Sequence, residues 1–315
     1  MLRENTPTLT VIIPVFNEEE CIQETIKRLE VVRECMHDKA ELEFLFVDDG
    51  SQDRSWQILS ELTIDSKHMK AVSFARNFGH QIAVSAGIDM ASGDYVAIMD
   101  ADLQDPPEVL QEMLALAMDG YDVVYGIRRS RNGDTLFKKK SAELFYRAMS
   151  YLCEIDIPKD TGDFRILSRR VVDVLKSMRE RHRFIRGMIP WVGFKSIGYE
   201  YDRDIRFAGK TKYTLRKMFR FAFDSVLSFS LKPLALVTRL GIIVVLSGLF
   251  GAAYMLYLKL FTDVPVAGVT ATILTVIIFG GVQILLIALV GEYVARIFDE
   301  AKGRPLYVIA EKRNI

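Results

Sequence analysis

The chain has 315 residues, with 41 Lys and Arg residues balanced by 41 Asp and Glu residues. This length predicts one large domain with an addition, because single cores stop growing near ~250 to 300 residues. The balanced charge argues against a general binder of nucleic acid or of another polyanion. Three scattered cysteines argue against a disulfide scaffold or a cysteine zinc site and indicate free thiols in a reducing compartment.

The first 125 residues alternate strand-like apolar runs with helical segments, which predicts an α/β fold with helices on both faces of a mostly parallel, Rossmann-like sheet. We expect no amino-terminal signal peptide, because the polar residues 1–7 lead directly into a strand-like segment. The predicted strands are residues 9–14, 42–48, 71–74, 95–100 and 122–125, and the predicted helices are residues 18–35, 53–66, 82–90 and 107–118.

Polar clusters follow three of these strands, where parallel sheets bind ligands. They are residues 16–18 (FNE), 48–51 (DDGS) and 100–102 (DAD). Each has a simpler interpretation, since Asn17 could cap the first helix and residues 49–51 could form only a turn. The coincidence of three clusters favours a site. The chain has no G-x-G-x-x-G and no P-loop motif, which argues against dinucleotide cofactors and P-loop chemistry.

Asp100 and Asp102 end the apolar run of residues 95–99. Two carboxylates held close together repel each other unless a cation lies between them. Oxygen ligands suit Mg²⁺ or Mn²⁺, and such ions commonly bind a substrate diphosphate as well. The alternative is an exposed Asp-rich turn that precedes the helix beginning at Pro106 and Pro107.

Two late segments predict a transmembrane hairpin. Residues 240–258 and 264–291 carry no charge, and each is long enough for a span of about 20 residues. Residues 206–239 hold eight Lys or Arg residues against the single acid Asp224, which predicts that this flank is cytoplasmic. Two buried core helices of a soluble protein are the alternative. Small residues that would permit close helix packing, including packing in a homo-oligomer, are Gly248, Gly251, Ala252, Gly280 and Gly281.

The domain organisation follows from these segments. We expect a cytoplasmic catalytic domain at residues 1–213, an amphipathic interfacial helix at 214–233, a membrane region at 234–295 and a cytoplasmic tail at 296–315. The two spans would cover about residues 235–258 and 266–293. We therefore expect a multi-pass protein of the inner (cytoplasmic) membrane, with residues 1–213 in the cytoplasm.

Several segments together resemble the family 2 glycosyltransferases with the GT-A fold. They are residues 11–18 (VIIPVFNE), 47–53 (VDDGSQD) and 100–107 (DADLQDPP). With the membrane hairpin, the chain is similar to the polyprenyl-phosphate branch, which includes the bactoprenol glucosyltransferases of O-antigen modification and the dolichyl-phosphate mannose synthases. Three further segments are similar to that branch, namely residues 76–79 (RNFG), 162–165 (GDFR) and 206–213 (RFAGKTKY).

The resemblance implies roles for individual residues. Asp100, Asp102 and Gln104 would bind the divalent ion, and Asp100 and Ala101 would also contact the donor. Asp102, Asp163 and Arg128 are the catalytic candidates. The residues implied to hold the nucleotide sugar are Pro14, Phe16, Asn17, Glu18, Asp49, Arg128 and Arg131, and those implied to attract the acceptor phosphate are Arg206, Lys210 and Lys212.

The implied reaction moves one sugar from a nucleotide sugar, with UDP-glucose the first choice, to a polyprenyl phosphate at the membrane. Because the acceptor phosphate is mostly ionised near neutral pH, we expect a single displacement with inversion in which Asp163 orients the acceptor. A loop carboxylate that pairs with Arg165 is the alternative for Asp163. His80 and His182 lack companions that would indicate a triad or a metal site, so we expect structural roles for them.

Other functions remain open on the sequence alone. A nucleotidyltransferase could share the sheet and the paired carboxylates, although it would not need two spans. A non-catalytic membrane scaffold could keep the fold, and UDP-N-acetylglucosamine, GDP-mannose or a UDP-modified pentose could replace UDP-glucose as the donor. A processive polysaccharide synthase is less favoured, because such enzymes carry a Gln-x-x-Arg-Trp motif that neither Trp56 nor Trp191 completes.

Overall fold

The computed structural model describes residues 6–64, 66–129, 161–204, 232–261 and 268–315. The described residues divide into two compact units. One unit contains the sheet, the helices that pack on it and residues 304–315. The other contains two long helices of the membrane region.

The sheet has eight strands in the order β7-β5-β6-β4-β1-β2-β3-β8. Parallel pairs join β1 to β2, β1 to β4, β2 to β3 and β5 to β7, which confirms the predicted mostly parallel α/β fold. The strands are β1 (Thr8–Val15), β2 (Glu41–Asp48), β3 (Met69–Phe74), β4 (Tyr95–Ile98), β5 (Val123–Arg128), β6 (Thr161–Ser168), β7 (Ser196–Tyr201) and β8 (Ile309–Arg313).

Helices alternate with the strands in the first half of the chain, as predicted. They are α1 (Ile22–Met36), α2 (Ser55–Leu62), α3 (His80–Met90) and α4 (Leu110–Met118), with a 3₁₀ turn at Pro107–Val109 before α4. Two further helices, α5 (Arg169–Ser177) and α6 (Ile185–Val192), follow β6. The first helix begins at Ile22 rather than at residue 18, because residues 16–21 form the loop that follows β1.

The core lies on both faces of the central strands. β1 has buried side chains on both faces, among them Val11, Ile12 and Ile13, as expected for a strand covered by helices on each side. Packing is close where α3 crosses β1, since a Cβ added to Gly87 would lie 2.2 Å from the Cγ2 atom of Ile12. These central strands therefore hold the loops at their carboxyl ends in fixed positions.

Three strands were not predicted from the sequence. β6 lies between β4 and β5 and pairs antiparallel with both of them. β7 pairs parallel with β5 at one edge of the sheet. β8 comes from the segment after the last helix and pairs antiparallel with β3 at the opposite edge.

The second unit contains α7 (Lys232–Phe261) and α8 (Val269–Ala301). Within them, Leu234–Leu258 and Thr275–Ala301 are long and apolar enough to cross a membrane, each with a mean hydropathy of 2.1. Neither segment is buried against other described parts of the chain. The interfacial helix predicted at residues 214–233 lies outside the described residues except for its last two positions. The predicted domain bounds remain predictions.

Candidate active site

The loops after β1 and β2 are joined by hydrogen bonds. The backbone N–H of Asn17 donates to Ser51 Oγ at 2.9 Å, and the N–H of Gln52 donates to Asn17 Oδ1 at 2.8 Å. Asn17 has a left-handed φ of 53°, a conformation that Asn tolerates better than most residues. The alternative that Asn17 caps α1 is wrong, because Cys21 occupies the N-cap position.

Three other candidate residues lie close to Asn17, at the end of β1 and in the loop that follows it. Pro14 is buried in β1 opposite Val47, and Phe16 is half-buried just beyond the strand end. The N–H of Glu18 donates to Ser55 Oγ at 2.9 Å. The structure thus brings the first and second predicted clusters together at one edge of the sheet.

Asp49 connects the end of β2 to the loop after β3. Its carboxylate accepts hydrogen bonds from the N–H of Phe78 at 2.7 Å, the N–H of Gly79 at 2.9 Å and the side chain of Asn77 at 2.8 Å. Burial is the largest influence on Asp49 and raises its pKa, although the two backbone donors act in the opposite direction. The cluster at residues 49–51 is therefore more than an isolated turn.

The third cluster follows β4. Ala101 is buried, and its carbonyl accepts a hydrogen bond from Thr25 Oγ1 at 2.8 Å. Asp102 is also buried, and its Oδ1 accepts the N–H of Gln104 at 3.1 Å. Leu103 between them has a φ of 57°, so the backbone turns sharply at this point. The Gln104 side-chain oxygen accepts a hydrogen bond from Arg203 at 2.5 Å.

Asp163 lies in β6 and contacts two cationic groups. Arg186 of α6 donates to both carboxylate oxygens, from Nε at 2.6 Å and from Nη2 at 2.9 Å. His80 Nε2 lies 3.0 Å from Asp163 Oδ2 and 3.7 Å from Asp100 Oδ1. Arg165 is more distant, at 3.9 Å. The alternative expectation is wrong about the loop, because Asp163 lies in a strand, but the pairing with Arg165 that it named is present as the longest of the three cationic contacts.

The charges in this cluster affect one another strongly. Burial alone would raise the pKa of Asp163, but Arg186 and His80 hold it well below its usual range. Burial and the nearby Asp163, Asp105 and Asp102 carboxylates raise the pKa of Asp100 to about 6, although His80 acts against this rise. Burial would lower the pKa of His80, but its hydrogen bond to Asp163 and the charge of Asp100 raise it to about 9.

Arg128, at the end of β5, belongs to a second buried network. Its Nη2 donates to both oxygens of Asp105, at 3.1 and 3.0 Å, and Tyr201 Oη donates to the same carboxylate at 2.5 Å. A Cβ added to Gly162 would lie 2.5 Å from Arg128 Nη2, so any larger residue at position 162 would push the guanidinium out of this position.

The sequence did not identify every residue of the site. His80, Arg186, Asp105 and Tyr201 were not among the predicted site residues. His80 was expected to be structural, whereas the structure places it between two candidate carboxylates. Four predicted residues lie outside the described residues, namely Arg131, Arg206, Lys210 and Lys212.

The residues near the β4 end suit a hard divalent ion that also binds substrate. Asp100 and Asp102 supply carboxylates, and Gln104 adds an amide oxygen that now accepts from Arg203. The described part of the chain has no group of three or more His, Cys, Asp or Glu side chains that could hold a metal.

Comparison with known proteins identifies the family. The family model described as glycosyl transferase family 2 matches residues 10–175. This region begins in β1 and ends in α5, so it includes the three clusters and Asp163. Among solved structures, the chain is similar to the mannosyltransferase PcManGT of Pyrobaculum calidifontis, with 18% identity, a TM-score of 0.49, and coverage of 92% of this chain and 88% of that one.

Curated relatives match almost the whole chain. Glycosyltransferase YkcC of Bacillus subtilis is 46% identical over 97% of this chain and 94% of its own length. Glycosyltransferase sll0501 of Synechocystis is 40% identical over 97% of this chain and 96% of its own. The bactoprenol glucosyl transferase of Shigella phage SfV is 37% identical over 97% of this chain and 99% of its own. The chain is a glycosyltransferase and belongs to glycosyl transferase family 2.

Proposed function

We propose that this glycosyltransferase moves one sugar from a nucleotide sugar, UDP-glucose in the first instance, to a polyprenyl phosphate at the cytoplasmic face of the membrane. The observation that carries the proposal is the likeness to the phage SfV bactoprenol glucosyl transferase over 97% of this chain. That length includes the loops of the candidate site as well as α7 and α8.

The donor's base and ribose bind at the joined loops after β1 and β2 in this proposal. Pro14, Phe16, Asn17, Glu18 and Asp49 are the residues assigned to this edge. An acidic group there can accept hydrogen bonds from the base or the sugar hydroxyls, and Asp49 also holds the loop at residues 77–79 beside it. The mutual hydrogen bonds of these loops support the assignment, because they fix the edge before a ligand arrives.

The diphosphate lies over the β4 end. Asp100, Asp102 and Gln104 would hold a divalent ion there, with Ala101 beside the donor. When bound, such an ion neutralises charge on the departing nucleoside diphosphate. Arg128 supplies a fixed positive charge to the same diphosphate, joined by Arg131. Because Arg128 donates to Asp105 and, from Nε at 3.3 Å, to Tyr201 Oη, the orientation of its guanidinium is set in advance.

The acceptor phosphate attacks the anomeric carbon in a single inverting displacement. A phosphate monoester is mostly ionised near neutral pH, since its second pKa is about 6, so the attacking oxygen needs no base. Asp163 is suited to orientation rather than proton removal, because Arg186 and His80 already engage its carboxylate. Arg206, Lys210 and Lys212 would draw the lipid phosphate to the site.

The test is transfer of radiolabel to lipid. Purified protein is incubated with polyprenyl phosphate, Mg²⁺ or Mn²⁺, and in turn labelled UDP-glucose, UDP-N-acetylglucosamine, GDP-mannose and a UDP-pentose. We expect labelled lipid with UDP-glucose and none when EDTA is added. The sugar in that lipid product should have the anomeric configuration opposite to that in the donor. Labelled lipid formed only from a different donor would show that the proposed donor, UDP-glucose, is wrong while the transfer to lipid is right. No labelled lipid with any donor would contradict the transferase proposal and favour a membrane scaffold.

The proposed orientation can be tested with a cysteine of the sheet unit. Cys35 is an exposed free thiol, whereas Cys21 is buried. In a Cys153→Ser background, a membrane-impermeant maleimide should leave Cys35 unlabelled in intact spheroplasts and label it after permeabilisation. Labelling in intact spheroplasts would place the sheet unit outside the cytoplasm.

A further inference from the structure

The segment after α8 joins the catalytic sheet. β8 pairs antiparallel with β3, with Ser73 opposite Glu311 and Phe74 opposite Ile309. The carbonyl of Val308 accepts the N–H of Ala75 at 2.9 Å, so the pairing continues beyond the end of β3. The C-terminal segment therefore contacts the start of the loop that Asp49 binds.

The far end of the segment is fixed by a side chain. The amide nitrogen of Asn314 lies 2.6 Å from the carbonyl oxygen of Thr63, 3.0 Å from that of Ser66 and 2.9 Å from that of Met69. Asn314 has a left-handed φ of 58°. These contacts tie β8 to the connection between α2 and β3.

Tyr307 anchors the near end of the segment. Its ring stacks on Phe74, with the ring centres 5.2 Å apart and the planes 15° from parallel. Its hydroxyl donates to Asp89 Oδ2 at 3.1 Å, and Arg179 donates to the same oxygen at 3.2 Å. The ring face of this half-buried side chain thus packs on Phe74, and its hydroxyl is hydrogen-bonded to Asp89.

Phe74 extends this contact to the loop at residues 75–79. The ring of Phe74 meets the ring of Phe78 edge-on, with centres 5.7 Å apart. The N–H of Phe78 is the donor closest to the Asp49 carboxylate, at 2.7 Å. Two independent sets of contacts thus hold the loop. One is the hydrogen bonding to Asp49, and the other is the series of ring contacts from Tyr307 through Phe74 to Phe78.

We infer that Tyr307 is a positioning residue for donor binding and acts through Phe74 and Phe78 on the loop at residues 75–79. This rests on the proposed function, in which the donor binds beside Asp49. Without the Tyr307 ring, Phe74 loses its stacking partner and holds Phe78 less firmly, so the loop must be ordered by the donor at a cost in affinity.

Steady-state kinetics of the full-length protein test the inference. We expect Tyr307→Leu to raise the donor KM about tenfold while kcat stays within about twofold, the pattern of lost ground-state organisation. Tyr307→Phe keeps the stacked ring and should recover most of the donor affinity. Lys312→Gln, an exposed change on the same β8 strand, is the matched control and should leave KM unaltered. A loss confined to kcat, with donor KM unchanged, would contradict the inference.

Amide hydrogen exchange provides a measurement that needs no donor. The amides of Phe78 and Gly79 should exchange faster in Tyr307→Leu than in the wild type, while the amides of β1 keep their protection. Unchanged exchange at both positions would contradict the inference. If the wild type transfers no sugar from any donor, the proposed function fails and the role in donor binding fails with it. The exchange measurement still decides separately whether Tyr307 holds the loop.

Discussion

Asp163 shows how a buried carboxylate depends on its cations. Its side chain is only 5% exposed, and Arg186 reaches it with two hydrogen bonds. We expect Arg186→Ala to destabilise the protein by about 3 kcal/mol, because it leaves a buried charge with less compensation, and to lower kcat strongly. Arg186→Lys keeps the charge but loses the two-point geometry, so it should restore stability in part.

The control for Arg186 is an exposed ion pair. Arg129 and Glu200 are 3.3 Å apart, with side chains 56% and 63% exposed. Thermal unfolding in detergent should show less than about 1 kcal/mol of change for Arg129→Ala. Equal losses of unfolding free energy for Arg129→Ala and Arg186→Ala would contradict the expectation that the buried ion pair with Asp163 contributes more to stability than an exposed pair does.

Asp122 lies away from the candidate active site, and its carboxyl group should make the folding stability of the protein decrease at acid pH. A hydrogen bond from Arg170, the largest influence, and another from Ser168 lower the pKa of its carboxyl. A carboxyl with a lowered folded-state pKa stabilises the protein above its unfolded pKa of about 3.9, and this stabilisation is lost as the pH falls through the folded value. The stability difference between the wild type and Asp122→Asn should therefore be largest near neutral pH.

Unfolding temperatures measured from neutral to acid pH check this expectation. The two curves should converge as the pH falls below the ordinary carboxyl range. Asp38→Asn, at a side chain that is 84% exposed, is the control and should lie close to the wild type throughout. A difference for Asp122→Asn that grows in acid would contradict the assigned direction of the pKa shift.

The carboxylates of the site were predictable, but two of the cations beside Asp163, His80 and Arg186, were not. Asp100 and Asp102 follow a recognisable apolar run, so their place at a strand end could be predicted. His80 and Arg186 have no such local signal. They approach Asp163 only because α3, β6 and α6 come together in the fold, although these elements are far apart in the sequence.

The strands likewise divide into those that the sequence predicts and those that it does not. The strands that form continuous apolar runs, such as β1 and β2, were predicted nearly to their ends. β6 was missed because buried Asp163 and Arg165 interrupt its apolar pattern, and both are satisfied only by tertiary contacts. β8 was missed because Glu311, Lys312 and Arg313 give it the charged composition of a protected edge strand.

The contact between the β2 and β3 loops makes Gly50 sensitive to substitution. Gly50 has a φ of 68°, and a Cβ there would lie 2.5 Å from the carbonyl carbon of Arg76 and 2.8 Å from the N of Asn77. We expect Gly50→Ala to cost more than the ~1 to 2 kcal/mol of left-handed strain, because backbone would also have to move. Donor affinity should fall as well, since the same movement displaces the donors to Asp49.

Gly120→Ala is the matched control for this prediction. Gly120 also has a left-handed φ, of 91°, but a Cβ there would meet nothing within 4 Å. Its unfolding free energy should fall by the strain alone, with the donor KM unchanged. Equal effects of the two substitutions on stability and on KM would contradict the role of the close contact at Gly50.

The whole chain combines a compact α/β unit with two apolar helices. Leu249 in α7 is 62% exposed and lies inside a segment long enough to span a membrane. We expect Leu249→Arg to reduce stable membrane insertion, because an arginine near the centre of a span costs about 2.5 to 3.5 kcal/mol on insertion scales. The measurement is the protein fraction that resists alkaline carbonate extraction.

An exposed apolar residue of the other unit provides the comparison. Ile64, after α2, is 75% exposed, and Ile64→Arg should leave the carbonate-resistant fraction unchanged. If Leu249→Arg behaved like Ile64→Arg, α7 would not lie in the hydrocarbon core. The homo-oligomer suggested by the small residues of α7 and α8 remains a prediction.

The position of β8 in the chain also determines the order of biosynthesis. A ribosome makes β3 early and β8 only after both α7 and α8 have been made. Until then the outer edge of β3 has unpaired backbone groups, which is the kind of edge that nascent chains expose to aggregation or to chaperones. The sheet is thus completed only after both apolar helices have left the ribosome, so a chain truncated before residue 309 would carry an open edge beside the Asp49 loop.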